Sequence, residues 1–345
     1  MRPPVPRSRL GRAALVVAVA VALVGLAMWH GPDLGVVGAA FGAVEWRWVV
    51  GAAALNVLSA TLRSVAWKVV LDQALPPPQP RWRTVFSAFS VGLLANVAAP
   101  GRLGELARVP VLTRHLGRGR GTWATIVGTI FAHRLFDVAA AVPLVVFVVF
   151  TARLPDWALR ALAIAFGVGI GLGLAGLLLA RRRRTPLSQE PGRVRRLLAM
   201  ARQGLAVLRS PAPAVFALYF QVLGWTTQLF AVWVAFRAFQ IDAPLAAAAL
   251  VLVMMNAALL FPLWPGNFGL VQVAVALPLL AYGVSYAHGF GFGIGLQAIE
   301  ASVGVGLGLA SLMREGVSFA MLRRMPEVRE SEPGEQIAVE SPRLP

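Results

Sequence analysis

Long apolar runs separated by short polar segments dominate this chain. They lie at Ala13–Met28, Trp48–Leu62, Val85–Ala99, Thr122–Phe150, Leu159–Ala180, Ala214–Phe236, Leu245–Leu263, Phe268–Tyr282 and Gly291–Met313. Several approach the ~20 residues that a helix needs to cross a ~30 Å hydrocarbon core. They do not alternate apolar and polar residues as the strands of a membrane barrel do. The expected fold is an all-α polytopic membrane protein, with about seven full transmembrane helices and two broken or re-entrant helical segments. Residues 1–12 read as a basic cytoplasmic segment and 13–320 as the membrane domain. The Glu- and Pro-rich stretch 321–345 reads as a disordered cytoplasmic tail. Arg2, Arg7, Arg9 and Arg12 before Ala13–Met28 also suit a signal peptide. No small-x-small cleavage pattern precedes Trp29 and His30, so a retained first span is expected.

The breaks are more informative than the runs. Asn96-Val-Ala-Ala-Pro100-Gly101-Arg102-Leu-Gly104-Glu105-Leu-Ala-Arg108 sets a helix stop and three charges directly after an apolar run. Proline and glycine cannot continue a regular helix there, and irregular backbone at membrane depth survives only where protein or a wet cavity covers it. A charge near the bilayer centre costs about 2.5–3.5 kcal/mol, which makes Arg102, Glu105 and Arg108 functional candidates. Pro265-Gly266-Asn267-Phe268-Gly269 repeats the Pro-Gly-x-x-Gly spacing in the second half. Paired interruptions at matching places in two halves are the sequence signature of an inverted-repeat site.

Charge then sets the orientation. The net charge is +17, and 14% of residues are charged against 58% hydrophobic. The basic residues gather between spans: Arg63, Lys68, Arg81 and Arg83 in 63–83, five Arg in 101–120 and nine Arg in 181–209. That is the positive-inside pattern and not a nucleic-acid footprint, so no nucleic-acid partner is expected. It assigns both termini to the cytoplasmic side of the cell's inner membrane, with anionic headgroups against the basic face. Segments 63–83 and 106–120 both read as cytoplasmic, with only Val85–Ala99 between them. A hairpin turning at Pro100-Gly101 reconciles them. For 245–313, a second hairpin and three ordinary crossings satisfy the same parity, and both stay open.

Composition also excludes chemistry. With no cysteine there is no disulfide, thiolate site or Cys nucleophile. No Gly-x4-Gly-Lys-Ser/Thr loop is present, so ATP does not drive the chain, and His30, His115, His133 and His288 are scattered. No metal or other cofactor is expected. The strings Gly167 to Gly173 and Gly289 to Gly295, glycine at every second position, sit in apolar runs without a βαβ setting. They read as close helix approaches.

Within the spans, Arg134 and Asp137 lie about one helical turn apart. They either pair with each other or reach Glu105, as part of a site wall or as a structural bridge. His133 is one position off and is expected to point to a different side. Glu300 stands inside the last run, either buried against another helix or on a proton path. Asn96 and Asn256 either cap broken backbone or bond between helices.

The pattern Asn96-x3-Pro100-Gly101-Arg102-x-Gly104-Glu105-x2-Arg108 resembles the membrane region of lysylphosphatidylglycerol synthases and their stand-alone, flippase-like relatives. His133-Arg134-Leu-Phe-Asp137 is similar to the family's Glu-Arg-x-x-Asp motif. Pro265-Gly266-Asn267-Phe268-Gly269 resembles its late Pro-x-Gly-x-Gly segment in place, with Gln272 where a Glu would stand. The resemblance covers roughly residues 10–320. It implies translocation of a polar- or phosphate-headed lipid between leaflets and no enzyme activity. The aminoacyl-transferase domain of the full synthases has no counterpart after the membrane region, so its chemistry is expected to be absent. Arg102 and Arg108 are candidates to hold a lipid phosphate, with Glu105 orienting Arg102 or meeting a cationic headgroup. Helix N-termini after the two Pro-Gly breaks are expected to face the anion. A membrane-embedded transferase on a lipid-linked substrate, and a non-transporting partner of a cell-envelope glycosyltransferase, are the alternatives. The lipid, direction of movement, coupling ion and oligomeric state are not encoded legibly.

Overall fold

In a computed structural model, residues 33–98, 103–116, 122–154, 159–160, 167, 171, 206–260 and 266–315 are described. The expected spans Ala13–Met28 and most of Leu159–Ala180 lie outside them. So do Pro100, Gly101, Arg102 and Pro265, most of the 181–209 segment, and the tail.

Among the described residues all regular structure is helical. A short α1 (Leu34–Gly42) precedes α2 (Trp46–Ala74) and α3 (Trp82–Ala98). A 3-10 turn (Leu103–Ala107) leads into α4 (Arg108–Leu116), followed by α5 (Thr122–Thr151). The second half holds α6 (Pro211–Ala238), α7 (Leu245–Ala258), α8 (Leu270–Leu280) and α9 (Tyr286–Glu315). Helices α2, α5, α6 and α9 are long and apolar enough to cross a membrane. At 1.5 Å per residue they reach about 42–45 Å, more than the hydrocarbon core requires. Helices α3, α7 and α8 hold 17, 14 and 11 residues. They reach roughly 26, 21 and 17 Å, short of a full crossing.

Two boundaries differ from the sequence expectation. The run Trp48–Leu62 was expected to end before a cytoplasmic segment, yet α2 continues to Ala74. It absorbs two cations because both find partners. Lys68 pairs with Asp72 one turn later, and Arg63 reaches across to α5 and α6. A short helix, α1, also occupies the near-neutral stretch 29–47. Asp33 caps it, accepting from the Gly35 amide at 2.8 Å.

The first break is a fold-back. A Cβ on Gly104 would collide with the backbone of Ala95 and Asn96, and one on Gly92 would lie 2.7 Å from Arg108 Nε. Positions 104 to 108 therefore run against 96 to 92 in reverse. The second break reverses too. Gly266 and Asn267 take left-handed backbone, at φ 68° and 45°, and Asn267 Nδ2 donates to Ala258 O at 3.1 Å. This ties the turn to the end of α7, and α8 packs back on α7.

The two halves repeat each other in inverted sense. In each, a long helix is followed by a hairpin and a second long helix. The packing pairs of the first half, α2–α3, α3–α4, α4–α5 and α2–α5, recur as α6–α7, α7–α8, α8–α9 and α6–α9. The pairs between halves match as well: α3–α9 with α7–α5, and α5–α6 with α9–α2. The equivalent helices α2 and α6 pack antiparallel, from Glu45 N–Ala238 O at 3.0 Å to Ser59 Oγ–Gly224 O at 2.8 Å. Ser59 and Gly224 lie 165 residues apart, the offset between the two Pro-Gly breaks. They mark where a pseudo-two-fold axis passes.

Packing follows membrane rules, where close approach replaces a hydrophobic drive between helices. Gly289 and Gly293 of α9 lie against the Cα atoms of Ala276 and Gln272 on α8, and Gly291 faces α1. The glycine string thus serves helix contact, as the sequence indicated. Large apolar side chains such as Trp46, Val50, Phe150, Phe216 and Met313 are exposed, the surface that lipid covers.

Two measurements check this architecture. Gly104→Val should push the hairpin limbs apart and destabilise by roughly 1–3 kcal/mol, read as a lower unfolding midpoint in detergent. The natural absence of cysteine permits a topology test: Gln79→Cys after α2 and Asp242→Cys after α6 should take an impermeant maleimide from opposite membrane faces. Labelling from the same face would contradict the inverted arrangement.

Candidate functional site

A cavity of about 260 Å³ opens between the two hairpins and the long helices. The helices bring polar side chains to it that the chain scatters widely. Asn56, Ser59 and Arg63 come from α2, Asn96 from α3, and Glu105 and Arg108 from the returning limb. His133, Arg134 and Asp137 come from α5, Gln228 from α6, Asn256 from α7, Gly266 from the second break, and Gln297 and Glu300 from α9.

Asp137 is the hub. It is 4% exposed and, among the described residues, accepts from Arg63, Arg134, Gln221 and Trp225 on three helices. Oδ1 receives Gln221 Nε2 at 2.6 Å, Trp225 Nε1 at 2.9 Å and Arg63 Nη1 at 3.3 Å, and Oδ2 receives Arg134 Nη1 at 2.5 Å. A buried carboxylate is tolerable only with this kind of satisfaction. Arg134 also reaches Glu105, with Nε donating to Oε2 at 2.8 Å and Nη2 paired with Oε1. It therefore ties the returning limb of the first hairpin to α5. Arg63 passes the network on: Nη2 donates to Gln228 Oε1 at 2.7 Å, and Gln228 Nε2 donates to Glu300 Oε1 at 3.0 Å. A continuous polar chain thus crosses the cavity from Glu105 to Glu300.

The arginines are held by rings as well as carboxylates. Arg63 lies over Trp225 at 4.9 Å, and Arg108 lies over Phe89 at 4.2 Å and Trp67 at 5.2 Å. Such contacts contribute about 0.5–2 kcal/mol when desolvated. Gly224 leaves room for Arg63: an added Cβ would come to 2.8 Å from Arg63 Cγ. Arg108 is only 1% exposed and anchors the hairpin from below. The side chain of Arg134 is 27% exposed, against 15% for Arg63. Of the described lining arginines, Arg134 is the most exposed.

The second half builds a neutral counterpart. Gln272 Nε2 donates to Gln297 Oε1 at 2.6 Å, and Gln297 Nε2 donates to the carbonyl of Gly266. This amide bridge joins the second returning limb to α9, as the Glu105–Arg134 pair joins the first to α5.

The expected site residues divide into three groups. Asn96, Glu105, Arg108, Arg134, Asp137, Gly266 and Glu300 line the cavity together. Gly104, Asn267, Gly269 and Gln272 stand behind it and shape the hairpins. Pro100, Gly101, Arg102 and Pro265 lie outside the described residues. His133 lines the same cavity as Arg134 and Asp137, contrary to the expectation that it points elsewhere. It stands one helical turn before Asp137, so the two share a face. At the helix N-terminus after the second break, one amide, that of Gly269, donates to Gln272 Oε1 at 2.6 Å. Asn96 and Asn256 both border the cavity. Asn256 Nδ2 donates to Leu252 O within its own helix, and Asn96 Oδ1 has no hydrogen-bond partner among the described residues. Sequence reasoning missed Asn56, Ser59, Arg63, Gln228 and Gln297. The available signal was polar residues inside α2, α6 and α9, read as boundary or background.

A profile of the lysylphosphatidylglycerol synthase TM region matches residues 13–308, and the chain belongs to that family. Membership makes it a multi-pass membrane protein of lipid-related cell-envelope function. No curated protein and no solved structure matches it.

Replacing Asp137 with Ala would take a carboxylate from both Arg63 and Arg134 and leave a hole between α2, α5 and α6. The expected loss is about 3–5 kcal/mol, the cost of breaking a buried ion pair from one side. It should appear as a large drop in the unfolding midpoint in detergent. A change below about 1 kcal/mol, the range of a surface pair, would remove Asp137 from the centre of the network.

Proposed function

From a lipid-related membrane family and a charged cavity between inverted halves, we propose that the chain is a lipid translocase. It passes a polar- or phosphate-headed lipid between the leaflets of the cell's inner membrane without ATP. The observation that carries the reading is the cavity itself: guanidinium and carboxylate groups buried at the junction of two membrane hairpins, where each charge costs kilocalories to keep.

Arg134 and Arg63 are the groups that would meet a headgroup phosphate, because guanidinium pairs with phosphate oxygens through parallel N–H donors. Glu105 and Asp137 hold those guanidiniums in place before the ligand arrives. The acyl chains stay in lipid while the headgroup occupies the cavity. Exchange of the hairpins between two equivalent packings would expose the cavity to each face in turn, as in other inverted-repeat carriers. The cytoplasmic placement of both termini and the contact of the basic segments with anionic headgroups belong to the same proposal.

Reconstituted vesicles test it. An acyl-labelled phospholipid in the inner leaflet should become accessible to an outside quencher at a rate that rises with protein. Glu105→Gln and Arg134→Ala should cut that rate at least tenfold, and Arg102→Ala should weaken it through the same break. A covalently altered lipid with no movement between leaflets would replace the translocase with a transferase. Neither movement nor modification would favour a partner role.

A further inference from the structure

The two walls of the cavity differ in chemistry, and the difference bears on the headgroup. Arg63, Arg108 and Arg134 all stand on the first-half wall, with Glu105 and Asp137. The facing wall carries Gln228, Asn256, Gln297 and one carboxylate, Glu300. The walls meet where Arg63 donates to Gln228 at 2.7 Å, so a ligand on the guanidiniums lies beside the amides.

Resting on the translocase reading, we propose that the cavity takes a lipid headgroup in which a phosphate adjoins a hydroxyl-rich polyol or glycosyl group. The phosphate meets Arg134 and Arg63. The hydroxyls meet Gln228, Gln297, Glu300 and Asn96.

Hydrogen-bond capacity separates this from the other headgroup chemistries. A primary amide nitrogen has two N–H donors. Gln228 uses one toward Glu300, and Gln297 uses one toward Gly266. Among the described residues, the second donor of each meets no protein acceptor. Asn96 Oδ1 is the converse, a buried acceptor with no partner among them. Unmet donors and an unmet acceptor around one space call for groups that both give and receive, which hydroxyls do. An ammonium only donates, so it would leave both glutamine donors unanswered. Cation sites also favour cages of Phe, Tyr and Trp, and here Phe89 is the one such side chain among the described lining residues. Its face is already under Arg108. A bare phosphate fills little of the 260 Å³, which equals roughly eight or nine waters at ~30 Å³ each.

The test compares three lipids with identical dioleoyl chains: phosphatidylinositol, phosphatidylethanolamine and phosphatidic acid. Binding to the purified full chain is read by native mass spectrometry in competition. Phosphatidylinositol should bind about tenfold tighter than either of the others, the gain from a few added hydrogen bonds. Glu300→Gln and Asn96→Leu should each reduce that preference at least threefold, and an unfolding midpoint in detergent close to that of the parent shows that the variants fold. Equal binding of the three lipids, or a preference for phosphatidylethanolamine, would overturn the inference without any variant. Vesicle assays of the same lipids keep the two readings apart. Selective binding without movement sinks the translocase and leaves the headgroup class standing. Movement of all three lipids alike with no binding preference does the reverse.

Discussion

One buried carboxylate holds this structure together. Asp137 joins α2, α5 and α6 through Arg63, Arg134, Gln221 and Trp225. In hydrocarbon the unsatisfied alternative is so costly that these helices gain a defined register from the polar contacts alone. The apolar packing around them is more permissive, because lipid tails satisfy a leucine as well as a neighbouring helix does. The polar network therefore specifies the geometry, and the glycine contacts let the helices come close enough to form it.

The network also explains the shape of the cavity. Arg134 binds one hairpin limb to α5, and Arg63 carries the chain of contacts across to Gln228 and Glu300. Every member lies where the two halves meet, near the pseudo-two-fold axis marked by Ser59 and Gly224. A site on that axis stays in place when the halves exchange their arrangements, which is why inverted repeats suit transport. The halves are not equal, however. An ion pair joins the first hairpin to α5, whereas two carboxamides join the second to α9. Hydrogen bonds between charged groups are roughly twice as strong as neutral ones, so these contacts hold the first hairpin more firmly than the second.

The sequence reading anticipated the long helices among the described residues, the two breaks, and a pairing among Glu105, Arg134 and Asp137, because each leaves a local mark. Proline and glycine stop a helix wherever they fall, and a charge in an apolar run stands out. It lost Arg63, because a cation at the end of an apolar run looks like a cytoplasmic boundary. The carboxylate of Asp137, 74 residues away, helps keep it inside, together with Gln228 and the ring of Trp225. Gln228 and Gln297 were lost for a related reason. Neutral amides barely disturb a hydropathy pattern, and their importance comes from what they face.

By itself, then, the order of residues determined an all-helical membrane chain with two matched interruptions and a family resemblance written in short motifs. Those properties follow from transfer free energy and backbone sterics, which act within a few turns of one segment. The tertiary structure alone decided that α2 and α6 run antiparallel, that the breaks turn back on themselves, and that three arginines share one wall opposite three amides. These depend on contacts between residues 25 to 165 positions apart, and no local rule of helix or hydropathy reaches that far.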